Sequence, residues 1–247
     1  MRQIYDNYTK EDKYVWQLLF DRQMKLLPNL ADNAYLEGLE SIQFSRAQIP
    51  NFDELNARLR KITGWEVVAV PGLIDNQPFF ELLANRKFPA ATWFRKLEEL
   101  NYLEEPDMFH DVFGHVPLLT NSDFCDFLSG LSKVALRFIK NPTAIELIAR
   151  LYWYTVEFGL IQEKGQRLKI YGAGILSSSG ESVYCLEDSK PNRFPFNVEH
   201  ILSFPYIKDR YQAQYFVIES YRQLYESLPE VEKATSLVVK NTNLVMA

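Results

Sequence analysis

The chain has 247 residues, of which 47% are hydrophobic and 14% aromatic, with 17 Phe, 14 Tyr and 4 Trp. That suits one large domain with a substantial core and argues against disorder. A net charge of −5 with no long basic run excludes the electrostatic footprint of a nucleic-acid or anionic-membrane binder. The amino terminus runs straight into charged residues without an apolar core of the signal type. The most apolar stretch, Leu147 to Ile161, is broken by Arg150 and Glu157, so no membrane span is expected. Cys125 and Cys185 are the only cysteines, which favours two free thiols and a cytoplasmic protein.

In chain order, Thr9 to Leu27 opens with a capping pattern and carries Val15, Trp16, Leu18, Leu19 and Phe20 near helical spacing. Pro50 to Ile62 predicts a second helix with Phe52, Leu55, Leu59 and Ile62 on one stripe. Trp65 to Val70, bounded by Gly64 and Pro71-Gly72, predicts a short strand. Gln77 to Asn85 and Ala91 to Leu100 read as short helices, with Arg86 to Pro89 as a candidate extended segment between them. Ser122 to Lys140 predicts a helix. Asn141-Pro142 supplies an N-cap and first-turn proline for another, expected to reach about Gln162. Tyr211 to Leu228 reads as a last amphipathic helix, and small strands are expected around Val67, Lys169 and Phe194. Neither the βα alternation nor the Gly-rich loop of a dinucleotide-binding sheet is present.

Two histidines, His110 and His115, lie five positions apart in Phe109-His110-Asp111-Val112-Phe113-Gly114-His115. On an ideal helix their directions would differ by roughly 140°, so the spacing requires a junction or irregular turn. Gly114 permits close approach there, and Pro117 restricts Val116. Glu157 sits among Trp153, Tyr154, Val156 and Phe158, where an ionised carboxylate needs a cation or several donors. Two neutral imidazoles and one carboxylate can hold one face of a non-haem Fe(II) and leave the other open to oxygen. The same donors would also suit a hydrolytic zinc, and Arg150 could instead pair with Glu157. Asp111 or Glu181 could fix an imidazole tautomer. Taken alone, Arg95 reads as a surface residue, and Leu73, Ile74 and Phe79 as ordinary turn and core hydrophobes.

Three blocks in order carry a resemblance. Glu105-Pro106-Asp107 leads through His110 to Gly114-His115-Val116-Pro117-Leu118. Tyr152 to Leu160 contains Thr155-Val156-Glu157-Phe158-Gly159-Leu160, and Tyr171 to Ser178 reads Tyr-Gly-Ala-Gly-Ile-Leu-Ser-Ser. With these blocks the chain resembles the pterin-dependent aromatic amino acid hydroxylases, most closely the short bacterial phenylalanine 4-hydroxylases, from about Tyr14 to Tyr221. The resemblance implies a mainly α fold with small β elements, a single catalytic domain over 1–247 ending in a tail from about 230. No separate regulatory domain is expected.

It further implies Fe(II) on His110, His115 and Glu157, and a tetrahydropterin cofactor bound by Gly72, Leu73, Ile74, Phe79 and Asp111. Arg95 and Asp107 would anchor the amino-acid end of the substrate, with Ser177 on the substrate side. Trp153 and Phe158 would wall the ring pocket, and Glu181 would support the inner shell. The activity implied is hydroxylation of L-phenylalanine to L-tyrosine with O2, in a monomer served by pterin-recycling enzymes. A tyrosine or tryptophan hydroxylase is the nearest alternative; a zinc hydrolase and a non-catalytic binding protein are more distant ones. Pro89 stands where vertebrate members carry a histidine, as it does in bacterial members. Lys208 falls near a position that separates phenylalanine from tyrosine specificity, or Ile207 does if the register shifts by one. Lys208 is expected to be exposed, with its amine away from the cavity.

Overall fold

The computed structural model describes residues 1–101 and 105–245. Helix α1 (Lys10–Met24) starts at Thr9, whose side chain and that of Asp12 form a reciprocal capping box. After α2 (Leu27–Leu30) and α3 (Asn33–Ser41), α4 (Phe52–Ile62) is capped by Asn51, close to the predicted start. Strand β1 (Glu66–Val70), α5 (Asn76–Ala84) and β2 (Lys87–Ala91) form a small βαβ unit whose strands pair in parallel, with Val70 opposite Ala91. The loops after both strands therefore open at the same end. The helix expected over Ala91 to Leu100 is absent. Its first residue ends β2, and only Leu97–Glu99 makes a single 3-10 turn.

A π-helical turn spans Phe109–His115 and runs through a 3-10 turn at Val116–Thr120 into α6 (Ser122–Arg137). Helix α7 (Pro142–Tyr152) begins on the predicted Asn141 cap but stops about ten residues earlier than its pattern suggested. Trp153–Glu157 winds as a second π turn, closed by the Phe158 N–H donating to the Trp153 carbonyl at 2.9 Å. Aromatic and β-branched residues fill this stretch and are weak helix formers, so the register yields there. The chain then goes extended as β3 (Gly159–Ile161) rather than continuing as helix to Gln162.

Strand β4 (Lys169–Ile170) leads to α8 (Ala173–Leu176), α9 (Ser179–Glu187), β5 (Asn192–Pro195) and α10 (Val198–Ser203). The predicted helix over Tyr211 to Leu228 is replaced by strand β6 (Gln214–Ile218) and the short α11 (Tyr221–Glu226). Strand β6 lies inside a four-stranded sheet of order β4-β3-β6-β5, parallel to both neighbours. An interior strand covered on both faces reads as an unbroken apolar run, a pattern that does not distinguish it from buried helix. The expected tail from about 230 belongs to α12 (Leu228–Val245), which packs on α6 and α7; residues 246 and 247 lie outside the described residues.

The core gathers behind the first π turn. Trp16 of α1 meets the edges of Phe109 and Phe113 at centroid distances of 5.6 and 6.3 Å, and those two rings stack at 4.5 Å. The Tyr35 hydroxyl donates to the Phe113 carbonyl at 2.8 Å. On the opposite side, Gly114 lets α8 come close, since a Cβ there would lie 2.9 Å from the Ala173 carbonyl oxygen. A Gly114→Ala substitution should destabilise the fold by about 1–3 kcal/mol through overpacking. The expected readout is a lower Tm together with weakened metal binding, because α8 leads directly to Ser177; an unchanged Tm would contradict this contact.

Candidate metal centre and its surroundings

The first π turn resolves the awkward histidine spacing. Widening the turn to an i→i+5 register brings residues five apart onto one face, which an α-helix would not do. His110 Nε2 and His115 Nε2 are 3.3 Å apart. Glu157, at the end of the second π turn, places one carboxylate oxygen 3.2 Å from His115 Nε2 and the other 3.5 Å from His110 Nε2. Ligands about 2.1 Å from a common ion and roughly at right angles lie about 3 Å from one another, so these separations suit one cation. Among the described residues, this trio is the group of His, Cys, Asp and Glu side chains close enough to share a metal ion. His115 is nearly sealed at 4% side-chain exposure, while His110 and Glu157 keep 20% and 13%, so the site opens on one side.

The tautomer of His110 follows from its partner. Ser177 gives its hydroxyl proton to the Ala173 carbonyl at 2.8 Å, so its oxygen accepts from His110 Nδ1–H at 3.0 Å. Nε2 is then a bare lone pair aimed at the trio. Burial, opposed by Glu157, carries the His110 imidazole down to about 4, so it is neutral near pH 7 as a metal ligand must be. Burial alone would raise the Glu157 carboxyl, but the neighbouring His115 holds it below its ordinary value. A proton on His115 Nε2 would relieve part of the crowding among these electron-rich atoms, whereas a divalent cation would satisfy all three at once. Arg150 is engaged elsewhere, with Glu146 and the Leu202 carbonyl, and does not compete for Glu157.

Two tautomer expectations change. Asp111 accepts from the Ala91 N–H at 2.7 Å instead of from an imidazole, tying β2 to the π turn. Burial pushes its carboxyl up to about 7, with the Ala91 hydrogen bond acting against the rise. Glu181 is buried but accepts from the Gln212 N–H at 3.0 Å and from the Tyr215 hydroxyl, so it supports the 204–213 loop and not a histidine. Ser177 fills the place assigned to both.

Arg95 is 8% exposed and not a surface residue. Its Nε and Nη2 each donate at 2.8 Å to separate oxygens of the fully buried Asp107, and its backbone N–H adds a third bond. Asp107 also accepts from the His110 N–H at 3.0 Å, so one carboxylate indexes both the guanidinium and the first metal-ligand candidate. With the Nε edge consumed, the end-on edge that includes Nη1 is left for an incoming carboxylate. Trp153 is packed between Phe158 at 4.7 Å and Tyr206 at 4.8 Å, and its indole N–H donates to Gln212 Oε1 at 3.0 Å. Lys208 is exposed as expected, and its amine rests 5.5 Å from the Tyr206 centroid.

The remaining expected residues flank the same segment. Gly72, Leu73 and Ile74 follow β1 at the end where Ala91 meets Asp111, and Leu73 is 71% exposed, leaving that loop's edge accessible. Phe79 meets Tyr152 edge-on at 5.6 Å, and Tyr152 directly precedes the second π turn. Pro89 is buried opposite Val68. Sequence reasoning passed over Tyr152, Gln212 and Phe88, whose ring covers His115 at 4.8 Å. Phe88 lies in the segment read as a candidate extended one, which ends inside the buried strand β2, but no local signal marks a loop glutamine.

A family model described as biopterin-dependent aromatic amino acid hydroxylase matches residues 3–240. The chain is 49% identical over 222 residues to a phenylalanine-4-hydroxylase of Chromobacterium violaceum, covering 90% of this chain and 74% of that protein. It is 48% identical over 227 residues to one of Ralstonia nicotianae, covering 92% and 72%. The fold is similar to a crystal structure of the Chromobacterium violaceum phenylalanine hydroxylase with bound Fe(III), at TM-score 0.93 and 46% identity, covering 97% of this chain and 86% of that one. A further structure of that enzyme, with iron(III) and 7,8-dihydrobiopterin, superposes at TM-score 0.92 with 46% identity, covering 98% and 86%.

Two outcomes test the geometry. Ser177→Ala should weaken metal affinity by about 10–100-fold by releasing the His110 tautomer, measured by competition with a chelator; unaltered affinity would exclude that role. Asp107→Asn should cost about 3–5 kcal/mol at neutral pH, because it leaves a buried guanidinium unpaired. Burial alone would raise the Asp107 carboxyl, but Arg95 holds it below 3.8. Its stabilisation is therefore present above that value and lost as pH falls through the depressed one. Denaturant melts from pH 7 into acid should show the wild type losing its advantage over Asp107→Asn only at the acidic end.

Proposed function

The chain belongs to the biopterin-dependent aromatic amino acid hydroxylases, and from that premise we propose that it is a phenylalanine 4-monooxygenase. It would convert L-phenylalanine to L-tyrosine with O2 as the oxygen source and a reduced pterin as the electron donor. The observation that carries the reading is the convergence of His110, His115 and Glu157, whose candidate ligand atoms all lie within 4.8 Å of one another. When bound, a ferrous ion and reduced pterin supply the oxygen activation and the electrons. The zinc-hydrolase alternative, which the same donors permit, draws no support from the family.

The chain's own residues bind, orient and exclude water. Arg95, held by Asp107, offers its free edge to the substrate carboxylate, and the packed Trp153–Phe158 pair walls the pocket for the aromatic side chain. The Gly72-Leu73-Ile74 backbone and the Phe79 ring supply donors, acceptors and a stacking face for a flat heterocycle at the strand ends, beside Asp111. Because Asp107 also bonds the His110 backbone, the substrate's polar end and the metal are held in one frame, which is how orientation lowers a barrier.

The same reading includes one catalytic unit acting as a cytoplasmic monomer, and the two buried unpaired cysteines accord with a reducing compartment. Each turnover consumes one reduced pterin, so recycling enzymes belong to the proposal. The test is product identification with Fe(II), O2, reduced pterin and phenylalanine, each omitted in turn: tyrosine should require all four. His110→Ala, His115→Ala and Glu157→Ala should each abolish turnover. Full iron content with wild-type tyrosine formation in any of them would defeat the assignment.

A further inference from the structure

Gln212 sits in the 204–213 loop between α10 and β6, where Ile207, Lys208, Asp209, Arg210 and Tyr211 are all exposed, yet it is itself only 3% exposed. Every polar atom of its amide is used. Oε1 accepts from the Trp153 indole N–H at 3.0 Å, and Nε2 donates to the carbonyls of Ile207 at 2.9 Å and Arg210 at 3.4 Å. Its backbone N–H donates to the buried Glu181 carboxylate, which also takes the Tyr215 hydroxyl. The amide can face only one way, since the flipped orientation would set NH2 against the indole N–H and oxygen against two carbonyls. Neither leucine nor glutamate satisfies all three partners.

These bonds join two parts of the site that sequence keeps far apart. Trp153 stands four residues before Glu157 and packs between Phe158 and Tyr206, and Tyr206 belongs to the loop that Gln212 clamps. We infer that Gln212 is a positioning residue which docks the 204–213 loop onto Trp153 and so sets the placement and selectivity of the substrate's aromatic ring. This rests on the reading that Trp153 walls the substrate pocket. The same network accounts for the buried Glu181, which holds Gln212 from behind. Contacts that begin at that carboxylate end at Trp153, four residues from a metal-ligand candidate.

The experiment uses the full iron-loaded chain and the variants Gln212→Leu, Gln212→Glu, Trp153→Phe and the double Gln212→Leu/Trp153→Phe. Iron content should stay at the wild-type level in all four. Gln212→Leu should raise KM for phenylalanine about tenfold, because the Trp153 indole N–H and two loop carbonyls lose their partner. It should also lower the tyrosine formed per pterin oxidised, shift the preference among phenylalanine, tyrosine and tryptophan, and speed amide hydrogen exchange over 207–211. Trp153→Phe deletes the donor together with the indole's second ring; it should move the same readouts, and the double variant's effect should fall short of the sum of the two single effects. If Gln212→Leu does not fold, Gln212→Glu decides: it keeps an acceptor for the indole but turns a carboxylate on two carbonyls, so loop exchange should still rise.

Additive effects, or unchanged KM, selectivity and loop exchange, would overturn the inference. A lowered Tm with none of these shifts would make Gln212 merely structural and overturn it equally. Should the wild type fail to hydroxylate phenylalanine, the functional reading falls, and loop exchange across the four variants still decides whether Gln212 docks the loop through Trp153.

Discussion

Two imidazole nitrogens and a carboxylate face one another at 3.2–3.5 Å in a largely buried place, and at least one of those nitrogens carries a bare lone pair. Electron-rich atoms held so close repel unless a positive centre sits among them. The surrounding structure works to keep them there. A stacked Phe109–Phe113 pair, backed by Trp16, presses the first π turn from behind, and the Tyr35 hydroxyl pins its backbone. Close approach of Ala173 at Gly114 brings Ser177 within reach of His110. Both segments that carry the candidate ligands depart from α geometry, and both departures aim side chains that an ordinary helix would have sent apart.

The segment from Asp107 to His115 organises more than the candidate ligands. Asp107 bonds Arg95 through three N–H groups and His110 through a fourth, so moving the guanidinium would move the first candidate ligand. Asp111, one residue on from His110, fastens the end of β2, beside which the Gly72-Leu73-Ile74 loop leaves β1. The expected substrate side, the candidate ligands and the expected cofactor side thus share one short backbone stretch as their common reference. A buried carboxylate with four donors is costly to desolvate and is retained here because no apolar replacement could set two neighbours at once.

The second π turn gives the aromatic side of the site a similar common reference. Tyr152 reaches Phe79 on one side, Trp153 reaches Tyr206 and Gln212 on the other, and Glu157 closes the turn. Within six consecutive residues the chain contacts the expected pterin-side aromatic, the expected substrate wall and the metal trio. The sheet of β4-β3-β6-β5 anchors the end of this turn, since β3 begins two residues after Glu157.

Much of this was legible in the residues. The caps at Thr9, Asn51 and Asn141, the strand at Val67 and the helices over 10–24, 52–62 and 122–137 follow from local spacing, because caps and turn residues act over a few positions. The three ordered motifs led to the metal trio and to the fold class. Local pattern misread β6 as helix and ran α7 too far, since an apolar run says that a segment is buried but not by what. Spacing alone sent Arg95 to the surface, because only the folded chain brings Asp107 to its fork. The sequence by itself therefore determined which residue types are available for metal, carboxylate and ring, and where the strong local caps begin. Tertiary structure alone decided that Ser177, not Asp111 or Glu181, orients His110, that the helices loosen into π turns where ligands are needed, and that Gln212 bridges loop to pocket. Those choices depend on hydrogen bonds between residues as many as 67 positions apart, and such partners carry no signature in their own neighbourhoods.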